Sequence, residues 1–313
     1  MKLKKEKPKN ILAEEEQRKE VMARMAATDL VSMVDAKLEV TASSDREKAI
    51  ARIKTQLDTT LTDEEAESRY DAMISKLKSS SLTINFRPED LFEQPLGQRF
   101  ENAYTRGGTP GYMATRDRTE ENLFNYSGSR SNVIEKSGYG ASGAVENRLK
   151  SFGAYNDGRS PNFVSEIRPK YGALNFTRFQ YGGALMYGRA YMVLKEHVKS
   201  NCTITGQDSF AYFNAADASA MLANFHHPDR LILYLPENPL KELYKEANGV
   251  NLSSNSSPRV HYIEVQIHGN IVFSRDVEKI CMRADDLTNM LEERRPIFEN
   301  FCQNNNIKLE IIG

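Results

Sequence analysis

The sequence predicts an α+β protein, with a helical N-terminal region followed by a split, mostly antiparallel β-sheet and its helices. Residues 11–78 contain no glycine and are rich in Ala, Glu, Lys and Leu, which favour helix. β-rich runs follow, and the segments between them are too irregular for a doubly wound parallel sheet. We therefore place a domain boundary near Ser80, between a helical region of residues 1–80 and a second domain of residues 81–313.

The helical region carries its own start and stop signals. Apolar residues recur at helical spacing from Val21 to Met33. Thr62 with Glu65 three residues later matches a capping box, which begins a helix that runs to about residue 77. A further helix start is predicted at residues 44–45, and the serines at 79–81 end the region.

The second domain begins with a strand at residues 82–86, because β-branched residues alternate there and Arg87 and Pro88 follow. Residues 101–160 hold nine of the 18 glycines, which predicts a region dominated by loops. Further runs predict strands at residues 171–176, 185–194, 231–235, 261–268 and 308–312, and helices at residues 215–225 and 287–301.

Composition argues against several classes of function. The 42 basic and 43 acidic residues leave a net charge of −1, so no overall field attracts nucleic acid or an anionic membrane. The three cysteines form no CxxC pair and the five histidines no HExxH, so neither a disulfide scaffold nor a catalytic metal is expected. No apolar run approaches the roughly 20 residues of a membrane span, and no secretory signal follows the lysine-rich start. A reducing compartment fits this pattern, and a polar start also suits a protein exported by a specialised secretion system.

The most informative segment is the run from Val260 to His268. Within it Glu264, Gln266 and His268 alternate with β-branched residues, which on a strand puts the three polar groups on one face. The ordinary interpretation is a half-buried strand with a wet face. The functional interpretation is a carboxylate held rigidly at a cleft.

Two further groups of residues suit a ligand that carries phosphate and a flat ring. Asn85 and Arg87 close the first strand, and a guanidinium there can clamp a phosphate or a ribose edge; an arginine in a surface ion pair is the commoner case. Arg168, Tyr171 and the Tyr187-Gly188 pair combine aromatic rings with glycines, so a ring can stack where the backbone comes close. Such a pattern also occurs on single-stranded nucleic-acid platforms, which the net charge disfavours, and the tyrosines could be core residues.

Several segments together resemble a known family. They are LTINFRPED at 82–90, ENRLKSFGAY at 146–155, RPKYGALNF at 168–176, GRAYMVLKEHV at 188–198, TGQDSF at 205–210 and YIEVQIHG at 262–269. In combination they resemble the CteC-type family of bacterial type III effectors, which are threonine-specific mono-ADP-ribosyltransferases of ubiquitin. The resemblance covers roughly residues 82–275.

What the resemblance implies is a split-sheet fold with an arginine on the first strand, a small or aromatic residue on a middle strand and a late glutamate. By position these are Arg87, the Tyr187-Gly188 pair and Glu264. The family's usual ExE pattern is here Glu264-Val-Gln266, which leaves open which of the two faces the ribose. Arg168 is a rival for the first-strand arginine, and no Ser-Thr-Ser follows the middle strand.

The resulting hypothesis is a mono-ADP-ribosyltransferase that uses NAD as co-substrate and no metal. Arg87 and Asn85 contact phosphate or ribose, Tyr171 or Tyr187 lies against nicotinamide, and Glu264 stabilises the transition state. Gln266 and His268 orient the acceptor or the ribose. The acceptor is a threonine of host ubiquitin, reached by secretion into the host cytosol, and neither nucleic acid nor membrane is a partner.

The rivals are a non-catalytic protein-binding module on the same fold and an NAD glycohydrolase. A thiol protease built on Cys202 is disfavoured because nothing around that residue marks a nucleophile. The protein is expected to be a monomer, and residues 1–80 to serve in export, chaperone binding or docking on the second domain.

Overall fold

The computed structural model describes residues 9–89, 97–102, 109–124, 168–212, 214–215, 218–253, 261–290 and 292–313. The helices are α1 (Lys9–Arg52), α2 (Asp63–Ser79), α3 (Pro110–Phe124), α4 (Asp229–Tyr234), α5 (Glu237–Ala247), α6 (Phe273–Asp276), α7 (Ala284–Thr288) and α8 (Arg294–Asn304). The strands are β1 (Ser81–Phe86), β2 (Arg99–Phe100), β3 (Lys170–Asn175), β4 (Ala190–Leu194), β5 (Cys202–Thr205), β6 (Glu264–Ile267), β7 (Ile271–Val272), β8 (Val277–Arg283) and β9 (Lys308–Ile312).

The main sheet has seven strands in the order β5-β6-β3-β1-β4-β8-β9, and β2 pairs with β7 in a small second sheet. All ladders of the main sheet are antiparallel except β8 with β9, which are parallel. The predicted α+β class with a mostly antiparallel sheet after a helical region is therefore confirmed.

The hydrogen-bond ladders of the sheet divide at its centre. β1 pairs with β3 over Ser81–Thr83 and with β4 over Thr83–Phe86. β3 in turn pairs with β6 over Lys170–Ala173. Thr83 takes part in both ladders of β1, and Ala173 takes part in both ladders of β3. Beyond these two residues the ladders separate. Gly172 lies at this crossing, where a Cβ would come within 2.7 Å of the Thr83 carbonyl oxygen.

One face of the main sheet packs on helices and forms the principal core. Its residues are apolar and alternate with the polar ones, as Ile84, Met192 and Val265 illustrate. Met73 and Leu77 of α2 join the same core, so the helical region and the sheet share it. The other face carries most of the buried polar side chains of β5 and β6, namely Thr203, Thr205, Glu264 and Gln266.

The capping box of α2 is present as predicted, since the Thr62 hydroxyl accepts from the Glu65 N–H and the glutamate accepts from the Thr62 N–H. The predicted helix start at residues 44–45 is wrong, because α1 runs through it without a break. α1 is held in place by Arg52, which donates to the carbonyls of Ile232, Leu233 and Leu235 at 2.7–2.8 Å.

Other element predictions are corrected in the second domain. Residues 231–235 lie in α4 and at its end, not in a strand, because Pro228 and Asp229 begin a helix there. The predicted strand at 185–194 is a 3-10 turn, Leu185–Tyr187, followed by β4, since Gly188 with φ 138° separates them. The predicted helix at 215–225 is only the 3-10 turn Ala218–Met221, and the one at 287–301 is broken between α7 and α8.

Residues 101–160, predicted as loops, include helix α3. Pro110 occupies its first position, where a proline's fixed φ suits a helix start, and that signal outweighs the glycines. Residues 103–108 and 125–160 lie outside the described residues, as does the segment at 146–155 that contributed to the resemblance. None of the described helices combines the length and apolar character that a membrane crossing requires.

Candidate functional site

Glu264 opens strand β6 and is the buried carboxylate around which the polar face is organised. It lies opposite Ala173 on one side and Thr205 on the other. One carboxylate oxygen accepts from the Ser209 N–H at 3.2 Å and from the Gln266 amide at 2.9 Å. The residue is 2% exposed. These two donors, one from the backbone and one from a buried amide, hold the carboxylate in one orientation.

A pair of tyrosines connects this carboxylate to the surface. The Tyr262 hydroxyl lies 3.2 Å from the second oxygen of Glu264 and 3.0 Å from the Tyr187 hydroxyl. Both hydroxyls lie within 3.0 Å of the same oxygen of Asp208. Tyr187 is 44% exposed, whereas Tyr262 is buried against Ala173 and Ala184. We call Tyr187, Asp208 and Tyr262 the tyrosine mouth.

Arg116 of α3 lies near the carboxylate and acts on its charge. Its guanidinium carbon lies 4.0 Å from the centre of the Tyr171 ring and 3.9 Å from that of Phe210. One Nη donates to the Ser209 hydroxyl at 2.9 Å, while the buried Nε has no hydrogen-bond partner among the described residues. The sandwich between two rings places a permanent positive charge close enough to act on Glu264.

The helix that carries Arg116 is fastened to β3 and to α1. Tyr171 donates to one oxygen of Glu120 at 2.6 Å, and Arg168 pairs with the other. Arg168 also pairs with Asp117 at 3.1 Å. Apolar residues of α3, Leu123 and Phe124 among them, join a core cluster with the first half of α1. α3 and the 3-10 turn Ser209–Tyr212 therefore cover the carboxylate.

The predicted site residues separate into two groups. Glu264, Gln266, Tyr171 and His268 lie on the polar face of the β3-β6 half, and Tyr187 stands at its edge. Arg168 is close by, but its guanidinium is engaged by the carboxylates of α3.

The first-strand residues lie elsewhere. Asn85 bonds the loop before β4, donating to the carbonyls of Tyr181 and Gly188 and accepting from the Ala184 N–H. Gly188 passes so close to β1 that a Cβ would lie 2.0 Å from the Phe86 carbonyl oxygen. Arg87 is exposed just beyond β1 and makes no ion pair with the described residues.

Electrostatics at the site follow from burial. Burial raises the pKa of Glu264 above its usual range and Asp208 adds to the rise, whereas Arg116 and the bonds from Ser209 and Gln266 oppose it. Burial likewise raises the pKa of Tyr262, with Glu264 and Asp208 contributing. The phenol therefore keeps its proton and remains a hydrogen-bond donor at neutral pH.

Sequence reasoning missed Arg116, Asp208 and Tyr262. Arg116 fell in the region predicted as loops, although the helix start at Pro110 was a usable signal. Asp208 and Tyr262 meet Tyr187 only through the sheet order, which brings residues 54 and 75 positions apart into contact.

Cys202 is completely buried, and its Sγ donates to the Val198 carbonyl. Burial raises the pKa of this thiol, which makes it a poor nucleophile. Among the described residues, no group of three or more His, Cys, Asp and Glu side chains could hold a metal ion.

A known family model matches part of the chain. Residues 98–226 match a family described as a protein of unknown function, DUF3626. The match covers less than half of the 313 residues; it includes Arg116, Tyr171, Tyr187 and Asp208 and ends before Glu264. No curated protein matches the chain.

Proposed function

We propose that the protein is a mono-ADP-ribosyltransferase that cleaves NAD and transfers ADP-ribose to a protein hydroxyl. The observation that supports this most is the buried, fully oriented Glu264 carboxylate, joined to the surface through the tyrosine mouth. The resemblance of several segments to ubiquitin-modifying effectors suggests ubiquitin as the protein that is modified. A threonine of ubiquitin in the host cytosol is the acceptor in this proposal.

The chemistry explains why a fixed carboxylate is useful. The bond between the ribose C1′ and the nicotinamide nitrogen breaks, nicotinamide leaves with the electron pair, and positive charge develops on the sugar. A carboxylate already oriented by Ser209 and Gln266 stabilises that charge without reorganising. Groups of this kind typically contribute about 3–4 kcal/mol to lowering the barrier.

The tyrosine mouth suits the nicotinamide end of the substrate. The rings of Tyr187 and Tyr262 meet edge to face, with centroids 5.9 Å apart and planes at 90°. Aromatic edges and faces of this kind accept a further flat ring. The exposed Tyr187 ring moves aside or stacks on nicotinamide as the substrate enters, and Tyr262 remains in contact with Glu264.

Transfer needs an acceptor that gives up a proton. The hydroxyl oxygen of the acceptor forms the new bond to C1′, and its hydrogen leaves as a proton. Asp208 stands at the tyrosine mouth with one carboxylate oxygen within 3.0 Å of both phenol oxygens, so it is the carboxylate placed to receive that proton. In the glycohydrolase alternative, water takes the place of the protein hydroxyl.

We consider two arginines, Arg87 and Arg116, as the residue whose positive charge contacts the pyrophosphate of NAD. Arg87, predicted from the sequence, is exposed just beyond the end of β1, and in this proposal it contacts the pyrophosphate. Arg116 lies nearer to Glu264 but is packed between rings, and its contribution is to the charge balance of the carboxylate.

The test is intact-mass spectrometry of ubiquitin incubated with the protein and NAD. Glu264→Gln keeps the size of the side chain and removes its charge, and we expect it to lower the rate of labelling by about 10²–10³-fold. Glu278→Gln, on the exposed surface of β8, is the matched control and keeps full activity. A Glu264→Gln protein that is folded and labels ubiquitin as fast as the wild type would exclude this role.

A second candidate is a protein-binding module that no longer cleaves NAD. It is favoured by the closed state of the site, since Glu264 is 2% exposed and Arg168 is engaged internally. Tight binding of ubiquitin without any gain in mass and without release of nicotinamide would support the module. Release of nicotinamide with no labelled protein would instead identify a glycohydrolase.

A further inference from the structure

Four buried polar side chains form a continuous series of hydrogen bonds along β5 and β6. They are Thr203, Thr205, Gln266 and His268, and each is 2% exposed or less. The series ends on Glu264, to which Gln266 donates. We call it the polar ladder. Its order along the sheet is His268, Thr203, Gln266 and then Thr205 with Glu264.

The positions of the hydrogens in the polar ladder follow from counting the donors and acceptors of each side chain. The Thr205 hydroxyl spends its only hydrogen on the Gln207 carbonyl at 2.9 Å, so its oxygen must accept from Gln266 at 2.8 Å. This fixes the nitrogen end of the Gln266 amide. The second hydrogen of that nitrogen points to Glu264 at 2.9 Å.

The oxygen end of the Gln266 amide determines which ring nitrogen of His268 carries the proton. The Gln266 oxygen accepts from the Thr203 hydroxyl at 3.1 Å, which uses the hydrogen of Thr203. Thr203 must then accept from His268 Nε2 at 2.9 Å, so His268 carries its proton on Nε2. Nδ1 is left as an acceptor and has no partner among the described residues.

The state of His268 agrees with this assignment. Burial, with a contribution from Lys170, lowers the pKa of His268 to about 3, so the ring is neutral and carries a single N–H at physiological pH. The rings of Phe124 and His268 pack in a T-shaped arrangement, with centroids 5.1 Å apart. The ring is therefore held in one place with one hydrogen to donate.

The reverse orientation of the amide conflicts with its neighbours. It would turn the Gln266 oxygen toward the Glu264 carboxylate and toward Thr205, whose hydrogen is already used. It would also require His268 to carry its proton on Nδ1, a buried position with no acceptor among the described residues. Two oxygens that face each other without a hydrogen between them cost free energy, so one direction of the polar ladder is favoured while Glu264 is charged.

We propose that Thr203 and His268 are positioning residues that lock the Gln266 amide with its N–H toward Glu264, and so favour the charged form of that buried carboxylate. Neither residue touches the reacting atoms. The catalytic consequence rests on the proposed function, whereas the effect on the charge of Glu264 does not.

The experiment is NMR spectroscopy of the full chain, labelled on glutamate carboxyl carbon and histidine nitrogen, with signals assigned by Glu264→Gln and His268→Asn. In the wild type we expect His268 in the Nε2–H form. Thr203→Val keeps the side-chain shape but removes the hydroxyl, and it should raise the pKa of Glu264 by about half to one unit and mix the His268 tautomers. Thr203→Ser should restore both.

Thr119→Val is the matched control, because Thr119 is equally buried but its hydroxyl donates within its own helix to the Thr115 carbonyl. A folded Thr203→Val protein with an unchanged pKa of Glu264, or a wild-type His268 in the Nδ1–H form, would overturn the proposal.

Activity separates this proposal from the proposed function. With NAD as substrate at pH 7, Thr203→Val should lower kcat about two- to fivefold without a matching change in KM, as the charged fraction of Glu264 falls from its starting pKa of about 7. Thr203→Ser should recover kcat. If the wild type does not cleave NAD, the proposed function fails, and the two NMR readings still decide whether the polar ladder controls Glu264.

Discussion

Strand β6 presents two faces that are equally dry and chemically opposite. Val265 and Ile267 enter the principal core on one side, while Glu264 and Gln266 lie on the other, and all four residues are 2% exposed or less. On the first face any apolar side chain of similar volume preserves most of the burial energy, because that energy has no direction. On the second face each group depends on a particular partner, because an unpaired polar atom away from water is costly.

The comparison teaches where this chain can tolerate change. Burial by itself does not identify a structural residue, since the candidate site is as buried as the core. What distinguishes the site is the number of directed bonds on each side chain and the charge they surround.

Truncating a side chain on the apolar face should cause the largest loss of stability. Met192 is fully buried at the centre of the sheet, and Met192→Ala should lower the free energy of unfolding by about 2–5 kcal/mol. Met192→Leu conserves volume and should cost less than about 1.5 kcal/mol. Urea unfolding followed by circular dichroism measures both, and equal losses would mean that the face requires a specific side chain.

On the polar face, a substitution that conserves side-chain volume should still lower stability. Gln266→Met has a similar volume but leaves Glu264, Thr203 and Thr205 without their partner, so we expect a loss of about 1–3 kcal/mol. The same urea measurement applies. A loss no greater than that of Met192→Leu would remove the distinction between the two faces.

The dependence of stability on pH sharpens the comparison further. Because the pKa of His268 is about 3 in the native state and about 6.5 in an unfolded chain, the unfolded chain binds the extra proton between these values. Stability should therefore fall as pH is lowered from 6.5 toward 3, by up to about 1.4 kcal/mol per unit from this residue.

His268→Asn should flatten that dependence relative to the wild type, with His261→Asn, at an exposed position, as the control. The raised pKa of Glu264 acts with the opposite sign, since that carboxyl takes up its proton more readily when folded. A further rise of that pKa when the polar ladder is broken adds to the flattening in His268→Asn. Parallel curves for the wild type and His268→Asn would contradict a buried, neutral histidine.

Part of the fold could be predicted because its signals are local. The capping box at Thr62 and the helical composition before it depend on neighbours within four residues. The alternation around Glu264 predicted three polar groups on one face, and the contacts of Glu264, Gln266 and His268 on that face agree. The strand predicted at 231–235 was wrong because a short apolar segment has the same composition in a strand and in a buried helix.

The candidate site could be predicted only in part, for a physical reason. The carboxylate was found because it lies in a regular pattern on one strand. Arg116 was not, because its place near Glu264 depends on α3 being held at the start of β3 by Arg168 and Tyr171, which are about 50 residues away in the chain. Arg87, attractive in the sequence, lies beyond the end of β1 and away from those contacts.

By itself the sequence determined the α+β class, the helical start, the capping box and the polar face of β6, since each follows from propensity and periodicity along a short stretch. The tertiary structure alone decided which strands are neighbours, and with that the meeting of Tyr187, Asp208 and Tyr262 above Glu264. The tertiary structure also decided which polar groups are buried from solvent. Burial and the direction of hydrogen bonds depend on residues distant in the chain, and these set the charge of the carboxylate.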